Sequence, residues 1–169
     1  MRPTAKRYNT NYKKHVDTEK DPYIPRRSAK GVIQCSGCGC FYYRRRWNLT
    51  PPSEGVTPAQ FQPGFCPACR KIKDKYPLGE LHLLGVESGD RQEVFRILRN
   101  EEEQAREKNP MERIMRLEAK NGGWRVETTT EKLAQRLGRS LKKARGGKVA
   151  YQWSHNNKFV RVFWDKREA

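Results

Sequence analysis

Cys35-Ser36-Gly37-Cys38-Gly39 and Cys66-Pro67-Ala68-Cys69-Arg70, with 27 residues between Cys38 and Cys66, decide how this chain folds. Two residues between cysteines let both sulfurs of a pair reach one ion from a tight turn. Two such pairs complete a tetrahedron of thiolates, which suits zinc and leaves no open coordination position. The spacing therefore predicts one structural Zn2+ held by Cys35, Cys38, Cys66 and Cys69. Gly39 can take positive φ and aim backbone N–H groups at sulfur. Cys40 reads as a non-ligand, because pairing it with Cys35 would leave four intervening residues and lose the knuckle. The ion and its thiolates together carry about −2, which gives Arg70 and Lys71 a neutralising role beside the site.

Outward from the cysteines, the two halves differ. Phe41-Tyr42-Tyr43-Arg44-Arg45-Arg46-Trp47 reads as a strand. The segment from Pro67 to Tyr76 reads as a short helix, with Pro at its start and Pro77 and Gly79 beyond its end. A knuckle, a hairpin and a helix carrying the last pair follow one another in treble-clef order. The helix also turns its positive end toward the thiolates. We place this four-cysteine zinc module at residues 32–85.

Residues 1–31 are polar and basic, with Pro3, Pro22 and Pro25 and no apolar period. They read as a tail that is disordered, or ordered only on a partner whose bases Tyr8, Tyr12 and Tyr23 could stack on. Residues 86–122 are predicted to be a helical connector of two helices. Ser88 or Asp90 caps the first, whose apolar side is Val94, Phe95, Leu98 and Ala105. Asn109 and Pro110 open the second, with Met111, Ile114, Met115 and Leu117 as its stripe and Asn121-Gly122-Gly123 as its stop. Residues 123–169 read as a β-α-β-β module. A strand from Trp124 to Thr130 leads to a helix with Leu133, Leu137, Leu141 and Ala144 buried. Gly146-Gly147 ends it, and a hairpin from Val149 to Trp164 turns at His155-Asn156-Asn157. The expected fold class is α+β.

Hydrophobic residues make up 35% of the 169, below the roughly 45–50% of ordinary globular chains. A core that thin calls for a metal or a partner. The formal charge is +17, which favours a polyanionic partner. It is spread unevenly, net +6 over residues 1–34, +4 over 35–86, −1 over 87–122 and +8 over 123–169. No apolar run is long enough to span a membrane, and no apolar segment follows the basic N-terminus. Five cysteines, an odd count, in paired spacing argue for metal in a reducing compartment rather than disulfides, so the expected location is cytoplasmic. Two matched pairs also argue against a dithiol catalyst. His15, His82 and His155 have no metal-ligand spacing, and no nucleophile elbow or phosphate loop is present. The sequence therefore gives no reason to expect an enzyme, a small-molecule substrate or a homo-oligomer.

Candidate RNA contacts fall in two places. Arg44, Arg45 and Arg46 stand between aromatics and offer phosphate forks beside stacking planes, and Arg70 and Lys71 on the second knuckle are further candidates. Lys132, Arg136, Arg139 and Lys143 follow at spacings of four, three and four, so they line one side of the last helix opposite its leucines. A row of cations can track a phosphate backbone.

The order Cys-x-x-Cys-Gly, aromatic/Arg strand, Cys-Pro-x-Cys-Arg and Ile97-Leu98-Arg99-Asn100-Glu101-Glu102 resembles short prokaryotic relatives of the large ribosomal subunit export adaptor, an Nmd-type zinc-ribbon family. Val126-Glu127-Thr128-Thr129-Thr130, Leu133-Ala134, Leu137-Gly138 and Phe159-Val160-Arg161-Val162-Phe163-Trp164 are similar to that family's second module. The resemblance covers about residues 32–165. It implies binding to ribosomal RNA on the large subunit, at the intersubunit face, and opposition to subunit joining. The chain is too short for the full eukaryotic adaptor, so nuclear export is not implied. The expectation is a non-enzymatic zinc protein acting as an anti-association, hibernation or maturation factor. The rivals are a zinc-dependent DNA-binding regulator and a protein-interaction adaptor. Absence of a helix-turn-helix or recognition-helix pattern weighs against the first of these.

Overall fold

A computed structural model describes residues 21–23, 31–53, 55, 57–120, 122–154 and 159–168. It is a mixed α+β structure with three α-helices and two sheets. The smaller sheet contains β1 (Ile33–Cys35), β2 (Phe41–Tyr43), β3 (Arg46–Asn48) and β4 (Gln62–Gly64), in the order β3-β2-β1-β4. The β1–β2 and β2–β3 pairs are antiparallel, whereas β4 runs parallel to β1 with Gly64 opposite Cys35. That parallel pairing brings the start of α1 (Pro67–Asp74) beside the first cysteine turn. Phe41–Trp47, expected as one strand, is a hairpin: Tyr43 faces Arg46 and the chain reverses at Arg44-Arg45.

The larger sheet contains β5 (Gly79–Leu84), β6 (Ile114–Lys120), β7 (Gly123–Thr128), β8 (Lys148–Trp153) and β9 (Val160–Asp165), in the order β6-β7-β5-β9-β8. Only the β5–β9 pair is parallel. Helices α2 (Arg91–Lys108) and α3 (Glu131–Arg145) cover one face. Leu81, Leu83, Val126, Val160, Val162 and Trp164 from the strands meet Val94, Leu98, Leu133, Leu137 and Leu141 from the helices, all fully buried or nearly so. Gly138 permits the close approach of α3: a Cβ there would sit 2.7 Å from Val162 Cγ1. Thr130 caps α3 by accepting the Leu133 N–H at 3.2 Å. Ala144, expected on the buried stripe, is exposed; Ala134 and Gly138 complete that stripe instead.

The second connector helix does not form. Asn109 closes α2, its N–H donating to the Ala105 carbonyl, and its side chain accepts the Met111 N–H at 3.1 Å to make a turn. Ile114–Lys120 then pairs with β7. Ile114 and Leu117 still share the helix-covered face although three residues apart, because a bulge between Ile114 and Arg116 shifts the register by one. The apolar i, i+3 spacing is thus produced by a bulged strand rather than a helical turn. Residues 79–165, which the sequence divides among three segments, contribute to one sheet. The His155-Asn156-Asn157 turn, Tyr8, Tyr12 and most of the basic tail lie outside the described residues.

Candidate metal centre

The cysteines converge from separate elements. Cys35 ends β1, Cys38 sits in the following turn, Cys40 precedes β2 and Cys66 is the N-cap of α1. The Sγ atoms of these four all lie within 4.8 Å of one another. Two backbone donors reach sulfur: Cys66 N–H donates to Cys35 Sγ at 3.2 Å and Cys69 N–H to Cys66 Sγ at 3.3 Å. Gly39 does have positive φ, +75°, but its N–H closes the turn onto the Cys35 carbonyl at 2.8 Å rather than onto sulfur.

Cys69, on the first turn of α1, lies against the same group. A Cβ on Gly37 would meet its sulfur at 2.9 Å, so glycine at 37 is what admits it. Its Sγ also accepts from Arg113 Nη1 at 3.3 Å. Arg113 is half-buried, its Nε is buried with no hydrogen-bond partner, and among the described residues no carboxylate lies within 4 Å of it. The Cys69 sulfur is thus the acceptor this guanidinium reaches, a contact that would strengthen if the sulfur were a metal-bound thiolate. The mutually close group is Cys35, Cys38, Cys40 and Cys66, with Cys40 in it and Cys69, expected as the fourth ligand, beside it.

The donor set fits a soft divalent cation. Thiolates about 2.3 Å from zinc stand about 3.8 Å apart along a tetrahedral edge. Cys38 and Cys66 are 3.7 Å apart, matching that edge, whereas Cys38 and Cys40 are 3.3 Å apart, closer than two ligands would stand. Protonation follows the same geometry. Sulfur contacts with Cys40 and then Cys66 hold the Cys38 thiol far below its ordinary range. Contact with Cys38 pushes Cys66 strongly upward and raises Cys40 to about 12. Burial, followed by the neighbouring Cys38, raises Cys69 to about 11. Neighbouring thiolates disfavour one another at this separation, and a bound cation would offset that repulsion.

The candidate RNA-contact residues separate into two groups. Arg44, Arg45 and Arg46 are exposed at the β2–β3 turn, and Arg70 is exposed on α1. Lys132, Arg139 and Lys143 are exposed on α3. Lys71 is not available: it is 4% exposed, pairs with Asp21 at 2.7 Å and donates to the Thr129 carbonyl at 3.3 Å. It reaches from α1 to the end of β7, and so joins the two parts of the fold rather than neutralising the sulfurs. Arg136 is likewise held, by Glu101 at 3.0 Å and Glu112 at 3.3 Å, so the row of four cations becomes three with a clasp in its middle. Tyr23 packs within the chain, its hydroxyl donating to Asp74 at 2.9 Å and its ring centroid 5.5 Å from that of Tyr76. The sequence reading misses Arg113, since nothing local marks it and its sulfur partner is 44 residues away.

Among the described residues no helix is long and apolar enough to cross a membrane. No protein-family model, curated protein or solved structure matches this chain.

Proposed function

We propose that this chain is a non-enzymatic zinc protein that binds ribosomal RNA on the large ribosomal subunit, in the cytoplasm, as an anti-association, hibernation or maturation factor. One structural zinc ion would be held by Cys35, Cys38, Cys66 and Cys69 in a treble-clef arrangement, with Cys40 as an S–H neighbour. The Arg113–Cys69 contact and the Cys38–Cys40 separation, shorter than a tetrahedral edge, favour this set over one with Cys40. Its role is to fold a segment that otherwise buries very little.

The carrying observation is where the unpaired cations stand. Arg136, Arg145, Arg125, Lys71 and Lys166 are consumed by internal carboxylates. Arg44, Arg45, Arg46, Arg70, Lys132, Arg139 and Lys143 have no carboxylate within 4 Å among the described residues and are exposed. A folded protein with a formal charge of +17 that leaves these groups unneutralised on its surface is suited to a polyphosphate backbone. The ribosome as the source of that backbone rests on the family resemblance in the zinc-module and second-module motifs.

Sedimentation of lysate through a sucrose gradient tests the reading. The protein is expected in the large-subunit fraction at low salt and is expected to leave it as salt rises. Its absence from every ribosomal fraction at low salt, in growing and in starved cells, would overturn the ribosomal assignment.

A further inference from the structure

The hairpin between β2 and β3 turns on two residues, and both are held in the left-handed region, Arg44 at φ 49° and Arg45 at φ 64°. Two-residue turns of this kind strongly favour Asn-Gly or Asp-Gly, because a Cβ in that region crowds its own backbone. Two successive arginines are a poor choice for the turn as a turn. Nothing inside the fold offsets the strain: among the described residues neither guanidinium makes a hydrogen bond or an ion pair, and both are exposed. The base of the hairpin, by contrast, is firmly held. Tyr42 and Trp47 pair across the strands with ring centroids 5.3 Å apart, and Phe41 is buried with its ring 5.3 Å from that of Phe61. Trp47 packs against the thiol cluster.

We infer that the Arg44-Arg45 turn is a preorganised phosphate fork, whose strain is retained because both guanidinium groups engage the phosphate backbone of a folded RNA. The inference rests on the RNA-binding reading above and identifies which surface carries it. A short turn fixes the direction in which both side chains leave the backbone, and the strands beneath it hold that direction before binding. Less ordering is therefore required when the RNA arrives. Guanidinium is the group that matches phosphate oxygens in a fork; an ammonium meets them only as a point charge. Arg46, beyond the turn and paired with Tyr43 across the strands, adds charge without sharing the strain.

The test separates stability from binding by giving them opposite signs. In the R44N/R45G variant the turn receives the residues it prefers, so the full chain is expected to melt at the same or a higher temperature. Its zinc content is expected to stay at one ion per chain. Affinity for deproteinised large-subunit RNA is expected to fall roughly a hundredfold, about tenfold for each charged hydrogen-bonding group lost. The slope of log affinity against log salt is expected to shrink by about two. R44K/R45K retains charge and strain but not the fork, and is expected to bind between the two. Wild-type affinity and salt slope in R44N/R45G would overturn the inference while leaving the RNA reading intact. Failure of the wild-type protein to bind this RNA at low salt would overturn both. An equal loss on duplex DNA, with duplex DNA bound as tightly as RNA by the wild type, would overturn the assignment to RNA.

Discussion

At the level of single residues, the question with the sharpest consequence is which of Cys40 and Cys69 completes the tetrahedron. Proximity favours Cys40, whose sulfur lies within 4.8 Å of those of Cys35, Cys38 and Cys66. Electrostatics favours Cys69. Its N–H supports Cys66, its sulfur faces the Arg113 guanidinium, and Gly37 leaves room for it. The 3.3 Å between Cys38 and Cys40 is shorter than the edge between two metal-bound thiolates. We therefore expect C40A to retain one zinc ion by native mass spectrometry and C69A to lose it. The reverse result would assign Cys40 to the metal and break the two-knuckle arrangement. The paired spacing makes Cys35, Cys38, Cys66 and Cys69 legible as candidates. Spacing carries no information about where the turn after Cys38 folds back, so the convergence of Cys40 is visible only in three dimensions.

Among elements, the ends of α2, α3 and β9 meet at one carboxylate. Asp90, at the N-terminus of α2, accepts from Arg145 at the end of α3 and from Lys166 just after β9. Lys166, and after it Arg145, holds this carboxyl below the usual carboxylate range. A carboxyl depressed in the folded state stabilises it fully above the unfolded value of about 3.9, and that contribution is lost as pH falls through the folded value. Thermal unfolding of D90N should therefore show a lower melting temperature than wild type at pH 7, with the gap closing below about pH 4. A gap unchanged by pH would mean that Asp90 acts through packing alone. Helix α3 is legible in the sequence because its signals are local: a Thr130 cap, leucines at helical spacing and a Gly146-Gly147 stop. β6 is not, since its bulge puts Ile114 and Leu117 at helical spacing on a strand. The ladder to β7 selects the strand, and just beyond it Thr129 N–H donates to the Arg113 carbonyl while the Thr129 hydroxyl accepts the Arg113 N–H. The pairing does leave one local mark, since Asn121-Gly122 between β6 and β7 is a hairpin signal, but the helical spacing before it makes the same residues read as a helix stop.

For the whole molecule, the division of the apolar core sets what metal removal should do. The larger sheet and its helices bury a contiguous cluster that includes Leu81, Leu83, Val126, Leu133, Val162 and Trp164. The smaller sheet and α1 gather only Cys35, Cys40, Cys66 and Ala68 at their centre, with Trp47 and Met111 against them. With so few buried side chains, this part of the chain is expected to depend on a bound metal for its fold. The joints to the larger sheet, Lys71 to Thr129 and Arg113 to Cys69, are few, and one of them is to a cysteine sulfur. Chelation should therefore unfold the small sheet and α1 while the large sheet stays folded. Hydrogen exchange read by mass spectrometry would report this as lost amide protection in β1, β2 and α1 with protection kept in β5, β7 and β9. Loss across β5 and β9 as well would show that the two cores unfold as one, and that the joints matter more than their number implies. In either case the Arg44-Arg45 turn loses its anchored base. RNA affinity should therefore fall on chelation in wild type and change far less in R44N/R45G, which has already lost the fork.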